Sequence, residues 1–176
     1  RTLKVGKGII KGDKIVIAAG TRPLIPQIEG LKDTNYITSD EALRLREQPK
    51  ILTILGGGYI AAELAHFFGA LGSKINIIQK GKFLVPNEDE EISKKFTEIF
   101  KKKYKILTEF NVTKVLQKGK RFVAVAKSKN KKKKLISDQL LVAVGRIPNT
   151  DLLDLSKTNV ETDGKYRYYA LNDKTI

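Results

Sequence analysis

The apolar positions of this chain change period along its length. Asp13-Lys-Ile-Val-Ile-Ala-Ala19 is a short, nearly unbroken apolar run ending at Gly20, the pattern of a strand buried in a parallel sheet. Residues 50–55 (Lys-Ile-Leu-Thr-Ile-Leu) and 74–79 (Lys-Ile-Asn-Ile-Ile-Gln) repeat that pattern. Between them the period becomes helical. Ile60, Leu64, Phe67, Phe68 and Leu71 form one stripe, and Gly72 stands where a left-handed cap belongs. A second helix is expected after Asn87 as N-cap, with Glu90 three residues later in a capping-box pattern. Ile92, Phe96, Ile99 and Phe100 make its apolar stripe. From residue 105 to 144 the pattern is one of strands: Ile106-Leu107, Val112 to Leu116, Phe122 to Ala126, and Gln139 to Val144. Turns are expected at Gly119 and Asn130.

The ends of the chain are punctuated rather than periodic. Leu3-Lys4-Val5 reads as an edge strand. Pro23, Pro26 and Gly30 mark residues 22–37 as a linker. Ser39 is placed to cap a short helix from Asp40 to Glu47, which Pro49 stops. After Gly145-Arg-Ile-Pro-Asn149, either Asn149 or Thr150 caps a brief helical turn through Leu155, and Asp163-Gly164 marks a late turn.

The junction between the central strand and its helix carries the clearest chemistry. Gly56-Gly57-Gly58-Tyr59-Ile60-Ala61 fits the spacing G-x-G-x-x-G/A, with a strand before it, a helix after it and a second strand at 74–79. That order is the order of a dinucleotide-binding βαβ unit. Gly56 permits the tight turn. Gly58 has no side chain, so the backbone can approach a pyrophosphate. Small Ala61 lets helix and strand pack closely. The helix N-terminus then offers free N–H groups and a positive dipole end to phosphates.

Composition narrows the field. The chain has no cysteine, hence no disulfide, no thiolate metal site and no cysteine nucleophile within it, and its single histidine, His66, rules out a histidine metal cluster. No run reaches about 18 apolar residues, so no membrane-spanning helix is expected. The absence of any methionine and the strand-like start lead us to expect a piece of a longer protein, and no signal peptide opens it. The formal net charge is +15. Its lysines have local explanations. Lys101-Lys102-Lys103 end a helix that opens with Glu88-Asp89-Glu90-Glu91, which suits the macrodipole at both ends. Lys129 to Lys134 read as a solvated hairpin tip without interleaved aromatics, so nucleic-acid binding is not expected.

Three motifs in order resemble one family. Ile17-Ala-Ala-Gly-Thr-Arg-Pro23, Gly56-Gly-Gly-Tyr-Ile-Ala-Ala-Glu63 and Val142-Ala-Val-Gly-Arg-Ile-Pro-Asn-Thr150 are similar to the A-T-G-S-x-P, nucleotide-fingerprint and G-R-x-P-N segments of the pyridine nucleotide–disulfide oxidoreductases. That family includes dihydrolipoamide dehydrogenase, glutathione reductase, mercuric reductase and mycothione reductase. The resemblance implies an α/β fold: a Rossmann-like NAD(P)-binding domain with a β-meander over residues 46–144. It is inserted into pieces of an FAD domain at 1–45 and 145–176. It implies a flavoprotein that passes hydride from NAD(P)H to FAD and on to a disulfide. A flavin reductase with another acceptor, or a basic nucleotide- or nucleic-acid-binding module without catalysis, remain alternatives. The family's redox cysteines, first FAD glycine motif and dimer domain are not in this sequence. The chain alone is therefore expected to be inactive, colourless and monomeric, and its parent a cytoplasmic homodimer.

Residue by residue, the resemblance implies that Glu63 faces the flavin side and helps place the nicotinamide, and that Tyr59 lids the nicotinamide pocket. It also implies that Ala19, Gly20, Gly145 and Arg146 line the boundary of the two cofactors. Each has an ordinary alternative: a solvated glutamate, a packed tyrosine, a turn with a surface arginine. His66, three residues after Glu63, reads as a helix-surface residue. Gln79 stands where NAD enzymes of this kind carry an acid for the ribose 2′-OH, and Lys80 follows it. The pair implies use of both NAD(H) and NADP(H). No catalytic residue and no metal site are expected in the chain.

Overall fold

The computed structural model describes residues 2–158, 160–162 and 168–169. The expected turn at Asp163-Gly164 lies outside them. The chain divides into two units, one of residues 23–145 and one of residues 1–22 with 146–176. Residues 23–45 thus go with the central unit, which the sequence placed from 46 onward. Leu31, Ile37 and Ala42 account for the difference: all three are buried in its core.

In the flanking unit β1 (Thr2–Val5) and β2 (Gly8–Lys11) pair as an antiparallel hairpin, and β3 (Thr21–Pro23) pairs with a later strand. The expected strand at Asp13–Ala19 is not formed. Residues 13–18 are exposed, and Val16 is 87% accessible. A buried parallel strand needs a neighbour to take its N–H and C=O groups. Among the described residues none runs beside it.

The central unit opens with a helical turn, α1 (Ser39–Ala42), shorter than expected and capped one residue earlier. Thr38 is the N-cap. Its Oγ1 accepts from the Asp40 N–H (3.3 Å), and the Glu41 carboxylate accepts from the Thr38 N–H (2.8 Å) and hydroxyl (2.6 Å). This is a closed capping box. The chain continues through β4 (Ile51–Leu55), α2 (Tyr59–Ala70), β5 (Lys74–Gln79), α3 (Glu90–Lys103) and β6 (Lys105–Thr108). A meander follows, β7 (Asn111–Lys118), β8 (Arg121–Ser128) and β9 (Lys131–Ser137), and the chain then returns as β10 (Gln139–Val142). In the flanking unit, β11 (Arg146–Pro148) is the partner of β3, and 3₁₀ turns follow at Asn149–Leu152 and Leu155–Lys157. Pro148, not Asn149 or Thr150, precedes the first of them as its cap.

Four strands in the order β10-β4-β5-β6 form one parallel sheet, and β7-β8-β9 form an antiparallel one. Strand alternation divides the core. Leu52, Ile54, Ile75 and Ile77 pack with Ala61, Leu64, Ala65 and Phe68 of α2. Leu55, Ile78, Leu140 and Val142 pack with Val115, Phe122, Ala124 and Leu135 of the meander. Both faces are covered, which is why these strands read as continuous apolar runs.

The helices are rotated from their expected stripes. In α2 the buried face is Ala61, Leu64, Ala65 and Phe68, while Phe67 and Leu71 are half exposed. The alanines allow the closer approach. In α3 the buried positions are Ser93 and Thr97, with Phe96 and Phe100 beside them, and Ile92 and Ile99 are exposed. Hydrogen bonding decides this. Thr97 Oγ1 accepts from Leu84 N–H (2.8 Å) and donates to Ser93 C=O (2.7 Å), and Ser93 Oγ donates to Val85 C=O (2.7 Å). Turning the isoleucines inward would orphan those buried groups. The helix is capped at Asp89 with no side-chain bond, so Asn87 is not its cap. Lys131–Lys134 lie on β9, and only Lys129-Asn130 form the hairpin tip.

Replacing Thr38 by alanine opens the capping box and should lower stability by about 1 kcal/mol. The bond from the Thr38 hydroxyl holds the Glu41 carboxyl below its ordinary value. A group depressed in the folded state adds stability above its unfolded pKa and loses it as pH falls through the folded one. Urea unfolding at neutral and acid pH should therefore show the deficit of Thr38→Ala shrinking at acid pH. A deficit independent of pH would show that Glu41 takes no part.

Candidate functional site

Strand β4 sits between β5 and β10. The chain leaves β4 through α2 to reach β5 on one side. It reaches β10 on the other side only after α3, β6 and the meander. The connections therefore diverge at the carboxyl end of β4, the topological switch point at which open α/β sheets form their ligand crevice. Residues 56–61 occupy that end.

The three glycines there have different reasons. Gly56 has φ +104°, and a Cβ on it would lie 2.2 Å from the Ala143 carbonyl oxygen. Its N–H donates to Ile78 C=O (2.9 Å), and Ala143 N–H donates to Leu55 C=O (2.8 Å), so the two backbones are locked together. Gly57 accepts from Val85 N–H (2.6 Å), and a Cβ on it would meet Leu84 at 2.7 Å and Gln79 at 2.9 Å. The G-x-G-x-x-G/A spacing assigns Gly57 no role; its signal is the uninterrupted glycine triplet. Gly58 is different. Its φ is −77°, and a Cβ on it would meet nothing within 4 Å. The chain itself has no need of glycine there, whereas a phosphate lying against the backbone does. This open cradle fits a bound dinucleotide.

Gly58 is the N-cap of α2 and offers no side-chain cap. The N–H groups of Tyr59, Ile60 and Ala61 have no intrahelical acceptor. No acid lies in the first turn of α2, whereas α1 starts with Asp40 and Glu41 and α3 with Glu90 and Glu91. The positive end of α2, equivalent to about half a unit charge, is thus left uncompensated. Ala61 is fully buried, Ile60 is partly buried, and Tyr59 is 61% exposed. Glu63 and His66 lie on the exposed side of the helix.

Gln79, at the end of β5, is buried and packs against Gly57. Its Nε2 donates to Phe83 C=O (3.1 Å) and its Oε1 accepts from Lys80 N–H (3.1 Å). The amide thus braces the loop 80–83, a local role its sequence position did not announce. Lys80 is exposed, and Lys82 lies 4.9 Å over the Phe83 ring and 3.9 Å from Glu90. The structure brings residues 56–61 and Gln79 together. Gly145, with φ +144°, accepts from Leu24 N–H (2.9 Å) within the same unit.

The remaining expected residues belong to the flanking unit. Asn149 donates from its side chain to Ala19 C=O and from its backbone to Gly20 C=O, each at 3.0 Å. Arg146 donates through Nε to Thr21 Oγ1 (2.7 Å) and through its terminal nitrogen to Thr21 C=O (2.8 Å). Arg22 forks onto the Asp151 carboxylate at 2.9 and 2.6 Å. That bond holds the Asp151 carboxyl below its usual range. Sequence reasoning gave no role to Arg22, the variable position of the 17–23 motif, or to Asp151, which directly follows the 142–150 motif. The segments around Gly20 and Arg146 are therefore one hydrogen-bonded unit. A cavity of about 470 Å³ lined by residues 150–156 shares no residue with the glycine turn. Among the described residues no cluster of His, Cys, Asp or Glu suits a metal.

A family model described as pyridine nucleotide-disulphide oxidoreductase matches residues 1–175. A mercuric reductase of Staphylococcus aureus is 35% identical, aligning with 100% of this chain and 35% of its own length. A mycothione reductase of Mycobacterium tuberculosis is 38% identical over 86% of this chain and 32% of its own. The solved HOCl-induced flavoprotein disulfide reductase RclA from Escherichia coli superposes with a TM-score of 0.79 at 30% identity, over 93% of this chain and 38% of its own. The chain spans about a third of the length of these relatives.

The glycines separate stability from binding. Gly56→Ala should cost more than about 3 kcal/mol, because strain at positive φ adds to a backbone clash. Gly58→Ala should cost less than about 1 kcal/mol, the scale of an N-cap change. Thermal and urea unfolding of both variants check this. Equal losses would show that Gly58 is needed by the fold.

Proposed function

This chain belongs to the pyridine nucleotide-disulphide oxidoreductase family, and we propose that residues 23–145 form the NAD(P)H-binding unit of a flavoprotein oxidoreductase. The observation that carries this reading is the acid-free, uncapped N-terminus of α2 behind the open backbone of Gly58, at the switch point of the sheet. Bound nicotinamide would supply a hydride to the flavin of the whole protein, with a disulfide as the acceptor beyond. The chain's own part is to bind and orient. The N–H groups of Tyr59, Ile60 and Ala61 hold the pyrophosphate, and Gly56 keeps the turn tight enough to present them. Tyr59, exposed at the start of the helix, covers the nicotinamide side, and Glu63 faces the flavin side. Lys80 reaches the 2′-phosphate of NADP(H), while Gln79 leaves the ribose without a repelling carboxylate.

Residues 1–22 and 146–176 are proposed as pieces of the FAD domain, with Ala19, Gly20 and Arg146 at the edge of the flavin site; Gly145 is proposed as a cofactor-contacting residue of the unit 23–145. The whole protein is proposed to be a cytoplasmic homodimer acting on a disulfide or other small-molecule substrate. The chain by itself is expected to bind nucleotide as a monomer without retaining flavin or turning over NAD(P)H.

Titration of the chain with NADH and with NADPH tests the reading. Both should bind, NADPH at least as tightly. Gln79→Glu loses the bond to Phe83 C=O, which weakens both cofactors alike. The ratio between them isolates the charge, and it should move toward NADH by roughly tenfold, equivalent to about 1.4 kcal/mol. Wild-type selectivity for NADH that the substitution leaves unchanged would contradict the role given to Gln79. Failure of either cofactor to bind would contradict the nucleotide site itself.

A further inference from the structure

The meander has two faces; one packs into the core, and on the other Val125 alone is buried. Val112, Val115, Phe122, Ala124, Ala126 and Leu135 point inward. The strand register assembles the other face. Leu116, Val123 and Ile136 stand side by side in one row. On one side of that row lie Lys118 and Arg121, which are paired in register. On the other side Lys114 and Lys134 flank Val125, followed by Lys127 opposite Lys132. Lys114 is bonded to Glu29 at 2.6 Å. Among the described residues the other five cations have no acidic partner.

Protection of a sheet edge explains lysines on β9. It does not explain Arg121 and Lys127 on the middle strand. Nor does it explain an apolar row left open to solvent, with Leu116 39% and Ile136 52% exposed. We propose that this face docks an acidic protein surface, with aliphatic residues meeting the Leu116–Val123–Ile136 row and carboxylates meeting the surrounding cations. An apolar centre inside a polar rim is the usual anatomy of a protein interface, and the charge rim demands acids opposite. A nucleic acid fits less well: the face has no aromatic side chain on which a base could stack. A bilayer fits less well too, because no Trp or Tyr belongs to the face to seat at the headgroup level. Strands about 4.8 Å apart with eight residues at about 3.4 Å each give a face of about 400 Å². That is the small end of specific interfaces, so the docking is transient. This proposal does not depend on the nucleotide site.

The test uses the 176-residue chain and a synthetic peptide that alternates glutamate with leucine. Binding is followed by fluorescence anisotropy and by backbone amide shifts. Duplex DNA and phosphatidylserine vesicles serve as competing probes at the same salt. The peptide should bind, shift the amides of β7, β8 and β9, and weaken as salt rises. Replacing Lys127, Lys132 and Lys134 together by glutamine should weaken it at least tenfold. Ile136→Ser alone should weaken it several-fold with the charges intact. Thermal unfolding and the dispersion of the amide spectrum report whether each variant remains folded. Absent peptide binding, peptide binding indifferent to these substitutions, or tighter binding of DNA or vesicles than of peptide would each overturn the proposal.

Discussion

The site depends on how closely two backbones approach. Gly56 turns the chain out of β4 against the carbonyl of Ala143, where a Cβ would stand 2.2 Å from oxygen. Because the turn is that tight, α2 begins directly over the end of the sheet, with its first N–H groups at the crevice between β5 and β10. The same hydrogen bonds that hold Gly56 to Ile78 and Ala143 to Leu55 bind the turn to both neighbouring strands. The placement of these N–H groups is therefore a property of the sheet's topology, delivered by a residue that has no side chain.

Around that point the structure spends polar side chains on holding backbone. Ser93 and Thr97 occupy the inner face of α3 to satisfy the 84–85 segment, and Gln79 braces the 80–83 loop. This one connection from β5 to α3 passes behind Gly57, whose missing side chain makes room for both Gln79 and Leu84. The positive end of α2 thus rests on a buried polar frame. A phosphate bound there, as proposed, would meet donors that are already oriented, which lowers the ordering cost of binding.

Much of this was legible in the sequence, for identifiable reasons. β4 and β5 are buried on both faces, so each is an apolar run, and the glycine triplet between β4 and α2 announces the turn. What stayed hidden involves partners remote in sequence. The run Asp13–Ala19 has strand composition but no strand paired with it among the described residues, and composition does not reveal a pairing partner. The stripe of α3 was misread because hydrophobic periodicity ranks isoleucine above threonine, while the buried N–H of Leu84 demands a hydroxyl. Arg22 and Asp151 lie 129 positions apart, and nothing local links them. At the glycine turn, the motif pointed to Gly56, Gly58 and Ala61, but not to the hydrogen bonds by which Gln79 braces the 80–83 loop.

The measurement closest to the central claim is a backbone amide titration of the chain with NADPH, followed residue by residue. The N–H signals of Gly58, Tyr59, Ile60 and Ala61 should shift most as the pyrophosphate engages the start of α2, and that of Lys80 should shift with NADPH more than with NADH. If saturating NADPH left residues 58–61 unmoved, or moved only signals elsewhere, the first turn of α2 would not be the phosphate site.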